Sequence, residues 1–286
     1  MAAFAVGWSC WRIAKLSGNR LNPALLIMPG IIFYGIYNFD FFQVAFILLS
    51  LQFSLQKRET LSAVATALGV LTKVVNVVLL PVFLLEIKDN RRRIRYLAVT
   101  VAVIAAVHLP LAFLNYNNWF SVFISERNGG LEDAWYVWIF QNPATWDYAK
   151  LFGASLGGLL LLRFYTLKVS VVQKCFLALA AYMLSTFVYT PQVNVILIPF
   201  VAILAIDHPS YYLWDVFNVA IILTWFTWPY PTAAGSVPQF FALLRAIALV
   251  WMVAMVIRSE MRLRDLLPKE LSSGPRRLLG LNRPRS

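Results

Sequence analysis

Charge is scarce in this sequence. Charged residues make up 13% of its 286 positions, about half of the roughly 25% carried by a soluble globular domain. With 60% hydrophobic residues and a mean hydropathy of +0.69, that deficit excludes an ordinary water-soluble domain. Cysteine is nearly missing: Cys10 and Cys175 stand far apart in apolar surroundings, so no disulfide framework is implied and both read as core thiols. Histidine is equally sparse. His108, before Pro110, and His208, in a polar turn, are separated residues that make no metal site and read as structural. No P-loop, nucleophile elbow, dinucleotide-binding glycine pattern or zinc spacing occurs. No run alternates as barrel strands do, and no internal repeat points to an inverted-repeat transporter. Residues 1–9 are apolar but lack the basic start and small-residue cleavage pattern of a signal peptide.

What is present is a series of apolar runs punctuated by basic clusters, which predicts an all-α, polytopic transmembrane helical bundle. The net charge of +12 does not point to nucleic acid, because the cations gather at the ends of apolar runs, where membrane topology puts them. Placing those clusters on the cytoplasmic side orders the chain. Arg12, Lys15 and Arg20 lie inside, 21–36 runs outward with Pro23 near its start, and 41–55 returns to Lys57 and Arg58. The stretch 61–86 is long enough to cross once, yet basic residues flank both ends and Lys73 and Asn76 sit near its middle. Two half-spans meeting near 72–76 resolve both conflicts, so a re-entrant hairpin is expected. Residues 96–114 then run outward, 115–150 form a long outer loop, and shorter runs alternate until 240–257 comes in. The predicted organisation is a transmembrane domain over 1–257 and a basic cytoplasmic tail over 258–286, with 258–267 as an interfacial helix and the remainder attracted to anionic membrane lipid.

The polar notch at Asn38 and Asp40 lies between two short apolar runs at the outer face. A carboxylate at that depth is costly unless water, a partner or a ligand meets it. Asp40 could serve as a general base or hold a divalent cation, or simply cap a helix turn. Lys73 needs an anion, either a lipid-linked phosphate or an ion pair with Glu86 or Asp40. In the outer loop Arg127 is a candidate phosphate partner, near Trp135 and Trp138, whose faces would suit a sugar. Gln192, after Pro191, could reach a ligand from an outer turn. Arg245 reads as a snorkelling residue of the last span.

These stretches, Asn38-Phe39-Asp40, Leu68-Gly69-Val70-Leu71-Thr72-Lys73, Leu79-Leu80-Pro81 with its basic cluster, and Thr190-Pro191-Gln192 with Pro199, resemble the multispanning C-type (GT-C) glycosyltransferases. They are nearest to those that use polyprenyl-phosphate-mannose or related lipid-linked sugars. The resemblance covers about 20–95 well and 185–200 loosely. It implies a polyprenyl-phosphate sugar donor, transfer on the outer or lumenal face, and loop carboxylates acting as base or metal ligand. By position Asp40 corresponds to the acid of the second outer loop and Lys73 to the lysine after the Leu-Gly run. Two departures stand out. Val74, Val75 and Asn76 replace the proline that often follows that lysine, and no first outer loop with its principal acid precedes Met1. The expectation is therefore an N-terminally shortened gene product, a fragment or an inactive relative; among partners, a membrane partner subunit is also expected. A transporter or lipid flippase, and a non-catalytic scaffold, stay open as alternatives.

Overall fold

The computed structural model describes residues 2–37 and 40–266. It is all-helical: the described residues form no sheet, only a single bridge between Glu132 and Val188. The helices are α1 (Ala2–Ser17), α2 (Pro29–Tyr37), α3 (Asp40–Leu55), α4 (Glu59–Thr72), α5 (Leu80–Glu86), α6 (Asn90–Leu114), α7 (Tyr116–Asn128), α8 (Trp146–Thr166), α9 (Val171–Ser185), α10 (Ile198–Ile203), α11 (Pro209–Trp225) and α12 (Val237–Leu266). Short 3-10 turns link several of them, notably Val74–Leu79 and Pro191–Ile196.

Helix α9 sits at the centre. Every residue from Cys175 to Ala181 is fully buried, as expected of a helix that is apolar all round. The chain from Val195 to Ile203, broken by Pro199, is buried almost as completely. At the opposite extreme, the apolar window of α6 is only 6% buried, and Val101, Leu109, Leu111, Phe113 and Leu114 are all exposed along it.

Among the described residues, only α6 and the Val237–Arg258 part of α12 are long and apolar enough to cross a membrane; shorter apolar helices there have 10–17 residues. The stretch 61–86 folds as a hairpin. Helix α4 runs to Thr72, the chain reverses at Lys73, and Val74–Leu79 with α5 leads back. Its two ends lie together: Arg92, just after α5, pairs with Glu59 at the start of α4 at 2.7 Å, while Lys174 at the start of α9 pairs with Glu86 at 3.2 Å.

The structure adds local detail to three stretches. The run 21–36 is split into a 3-10 turn, Pro23–Leu26, and α2. Pro29 has no amide to continue an upstream helix, and the Gly30 amide donates instead to Asp215 Oδ2 at 3.1 Å. The segment 115–150 is not a plain loop. Tyr116, Trp119, Phe120 and Phe123 recur at helical spacing, and α7 lays this stripe on α6, where Trp119 Nε1 donates to His108 Nδ1 at 3.0 Å. Finally, 258–266 continue α12 without a break; the tail from 267 lies outside the described residues.

Candidate functional site

Asp40 and Lys73, which the sequence places 33 positions apart, meet. Lys73 Nζ lies 2.5 Å from Asp40 Oδ1. Asp40 opens α3, where the helix dipole favours a negative charge, and it is 2% exposed. Lys73 is held in extended backbone between α4 and the following 3-10 turn, its amide closing α4 on the Gly69 carbonyl. Its side chain is 37% exposed, so the pair is buried on the acid's side and open on the ammonium's. Asp40 Oδ2 has no hydrogen-bond partner among the described residues.

A second contact fixes this corner. Asn76 Nδ2 donates to the Gly69 carbonyl at 2.5 Å, and Asn76 Oδ1 accepts from Gln43 Nε2 at 3.3 Å. Gln43 lies one turn beyond Asp40 on α3, so the same helix grips the hairpin tip twice. A Cβ on Gly69 would stand 3.0 Å from the Asn76 amide, which accounts for glycine there. The sequence reading notices Asn76 beside Lys73 but gives Gln43 no role.

A separate polar centre forms around Arg245, which is fully buried and not snorkelling. Its guanidinium donates to Asn218 Oδ1 at 2.7 Å, the Tyr189 carbonyl at 2.6 Å and the Asp133 carbonyl at 3.1 Å. It also lies over the Tyr189 ring, 3.7 Å from the centroid. Gln239 Nε2 donates to Asp133 Oδ1 at 3.1 Å. Burial pushes the Asp133 carboxyl up to about 7, although nearby Arg245 opposes the rise. Four segments are thereby tied together: the 131–139 stretch, the turn before Pro191, α11 and α12. Asp215, within the apolar run that forms α11, is also buried, and a Cβ on Gly30 would fall 2.2 Å from its Oδ1. The sequence reading passes over it.

The other expected site residues are placed less directly. Gln192 is half-buried in the turn Pro191–Ile196, which packs against α2, α3 and α11. Arg127 lies on α7, which packs along α6; its side chain, like Asn38, lies outside the described residues. No group of three or more His, Cys, Asp or Glu that could hold a metal ion occurs among the described residues. His108 and His208 have structural partners, the latter capping α11 through Ser210. Both cysteines are buried and free. A cavity of about 980 Å³ runs along α8 from Asp147 and Lys150 past Gly157 and Gly158 to Leu161. Neither Asp40 nor Lys73 lines it.

Among the described residues these features define an all-helical chain with two helices long and apolar enough to cross a membrane and a charge pair, buried at Asp40 and open at Lys73, at the turn of a helical hairpin. Compared with known proteins, the chain matches no family model, no curated protein and no solved structure.

Proposed function

We propose that this chain is a multi-pass integral-membrane glycosyltransferase of C-type architecture. It moves a sugar, mannose or a relative, from a polyprenyl-phosphate carrier to an acceptor on the outer or lumenal face. The Asp40–Lys73 pair carries the reading: a buried acid and a half-open ammonium joined at a re-entrant tip, both drawn from the stretches that resemble that family. The membrane setting is supported by the 18-residue apolar window of α6, which is 6% buried and about 27 Å long at 1.5 Å per residue, close to a hydrocarbon core of about 30 Å. Helices too short to cross, and backbone broken at 72–79 and 191–196, are tolerated at depth where protein surrounds them.

In the proposed reaction the acceptor hydroxyl oxygen bonds to the anomeric carbon as the bond from that carbon to phosphate oxygen breaks. Polyprenyl phosphate departs with the electron pair. Asp40 Oδ2, which has no partner among the described residues, takes the hydroxyl proton. Lys73 swings from the carboxylate to the phosphate and neutralises it. A membrane partner subunit could supply a further acid. The cytoplasmic side is assigned to the basic ends of the hairpin and to the tail.

The test is sugar transfer in vesicles holding the full chain and labelled polyprenyl-phosphate-mannose. Transfer is expected, and Asp40→Asn should lower it about 10²–10⁴-fold, with Lys73→Met also impaired. The double variant, which restores charge balance, should stay folded and inactive. Carrier movement across the bilayer without transfer, or neither activity, would overturn the proposal in favour of a flippase or a scaffold.

A further inference from the structure

Cations collect at the inner face of membrane proteins, but that tendency does not draw four of them around one hollow. Lys57, Arg58, Arg92 and Arg95, with Glu59 and Tyr96, line a cavity of about 420 Å³. Two of the cations come from the turn between α3 and α4 and two from the start of α6. Because 61–86 doubles back, residues more than thirty positions apart face the same space. Glu59 is the only carboxylate in the lining, and it is already engaged by Arg92 at both oxygens, at 2.7 and 2.8 Å. Lys57, Arg58 and Arg95 have no carboxylate partner among the described residues.

The walls favour an anion further. No side chain caps the first turn of α4, where Arg58 is the N-cap. Lys57 is held at φ 61°, in the left-handed region that favours glycine, so a lysine is kept where a smaller residue would fit the backbone better. Tyr96, buried at the back of the hollow, is locked by its hydroxyl to Ser62 and Thr66 at 3.1 and 2.8 Å. Leu61 on the rim, and Leu97 and Val101 further along α6, are exposed apolar side chains. A ligand with a charged head and an apolar body would meet cations first and hydrocarbon next.

We infer that this cavity binds the phosphate of an anionic phospholipid headgroup, with the guanidinium and ammonium groups on the phosphate oxygens and the acyl chains along Leu61, Leu97 and Val101. Arginine forks and lysine point charges are the groups that hold phosphate. The site stands apart from the Asp40–Lys73 pair and does not depend on the sugar-transfer reading.

Thermal unfolding of the full chain in neutral detergent tests it with three probes: dihexanoyl phosphatidic acid, dihexanoyl phosphatidylcholine and inorganic phosphate. Phosphatidic acid should raise Tm at concentrations where phosphatidylcholine does not. The double variant Arg58→Gln with Arg95→Gln should weaken its apparent affinity at least about tenfold. Arg163→Gln, in the last turn of α8, with Lys168→Gln, in the link to α9, both at exposed positions, should leave it unchanged. Equal weakening in both pairs would reduce the effect to general charge and overturn the site, as would no preference for phosphatidic acid in the parent chain. An equal shift with inorganic phosphate would overturn the lipid source and leave a free-phosphate site. Lys57→Gln alone provides a milder lesion should the double variant fail to fold.

Discussion

Asp133 is a carboxyl that folding makes expensive to ionise. Its ordinary value lies near 3.8, and in the folded chain burial lifts it to about 7. The folded protein therefore binds a proton more tightly than the unfolded chain across that window. The stability from the protonated form is complete below about pH 4 and is lost as pH rises through about 7. Asp133→Asn keeps an oxygen for Gln239 to reach and cannot ionise, so its Tm should fall less than that of the parent between about pH 5 and pH 8. Parallel Tm profiles for the two chains would show that Asp133 does not govern this window. The residues of the two polar sites differ in how far the sequence reveals them. Asp40 and Lys73 stand out because each is a charge inside an apolar run, and the structure joins them. Arg245 carries the same signal, but its partners lie 27, 56 and 112 positions away. Spacing along one helix cannot reveal them, and snorkelling is the natural reading without them.

At the scale of elements, the hairpin is the unit on which the candidate site depends. Its tip is closed by few contacts, chiefly Asn76 with the Gly69 carbonyl and with Gln43. Asn76→Ala removes both; the Gly69 carbonyl keeps the Lys73 amide and the Thr72 hydroxyl, but the buried Gln43 amide is left unpaired, at a cost of about 1–3 kcal/mol. Tm should fall by roughly 2–4 °C per kcal/mol lost, and Lys73 should lose its fixed approach to Asp40. Transfer activity, measured where the variant is still folded, should then drop alongside Asp40→Asn. Full activity in Asn76→Ala would detach the tip geometry from function. The hairpin itself is legible because charge flanks both of its ends, a pattern one crossing cannot satisfy. Helix α7 is harder to see: Asn115, Asn117, Asn118 and Ser121 give its stretch the polarity of a loop, while the aromatic stripe that makes it a helix matters only against α6. The breaks at 23–29 and 191–199 are marked by prolines, but proline alone does not say whether a helix restarts.

For the whole molecule, the arrangement of charged ends makes a claim about sidedness. Glu59 with Arg92 and Glu86 with Lys174 bring the starts of α4, α6 and α9 and the end of α5 to one end of the bundle. Arg245 gathers Asp133 and the turn at Tyr189 elsewhere. Helix α6 leads from the first group toward 115–150, and at about 37 Å it is long enough to carry the chain across a bilayer. Composition points to a membrane setting, and among the described residues two helices, α6 and part of α12, are long and apolar enough to cross one. Both native cysteines are buried, so new ones report with little background. Lys88→Cys and Asn142→Cys each place a thiol at an exposed position. A membrane-impermeant maleimide added to intact cells should label Asn142→Cys readily and Lys88→Cys only after permeabilisation. Outside labelling of Lys88→Cys at the same rate would mean that 61–86 crosses the bilayer or that no bilayer separates these positions. Either outcome would overturn the proposed sidedness, in which the cationic hollow of Lys57, Arg58, Arg92 and Arg95 faces inward and Asp40 outward.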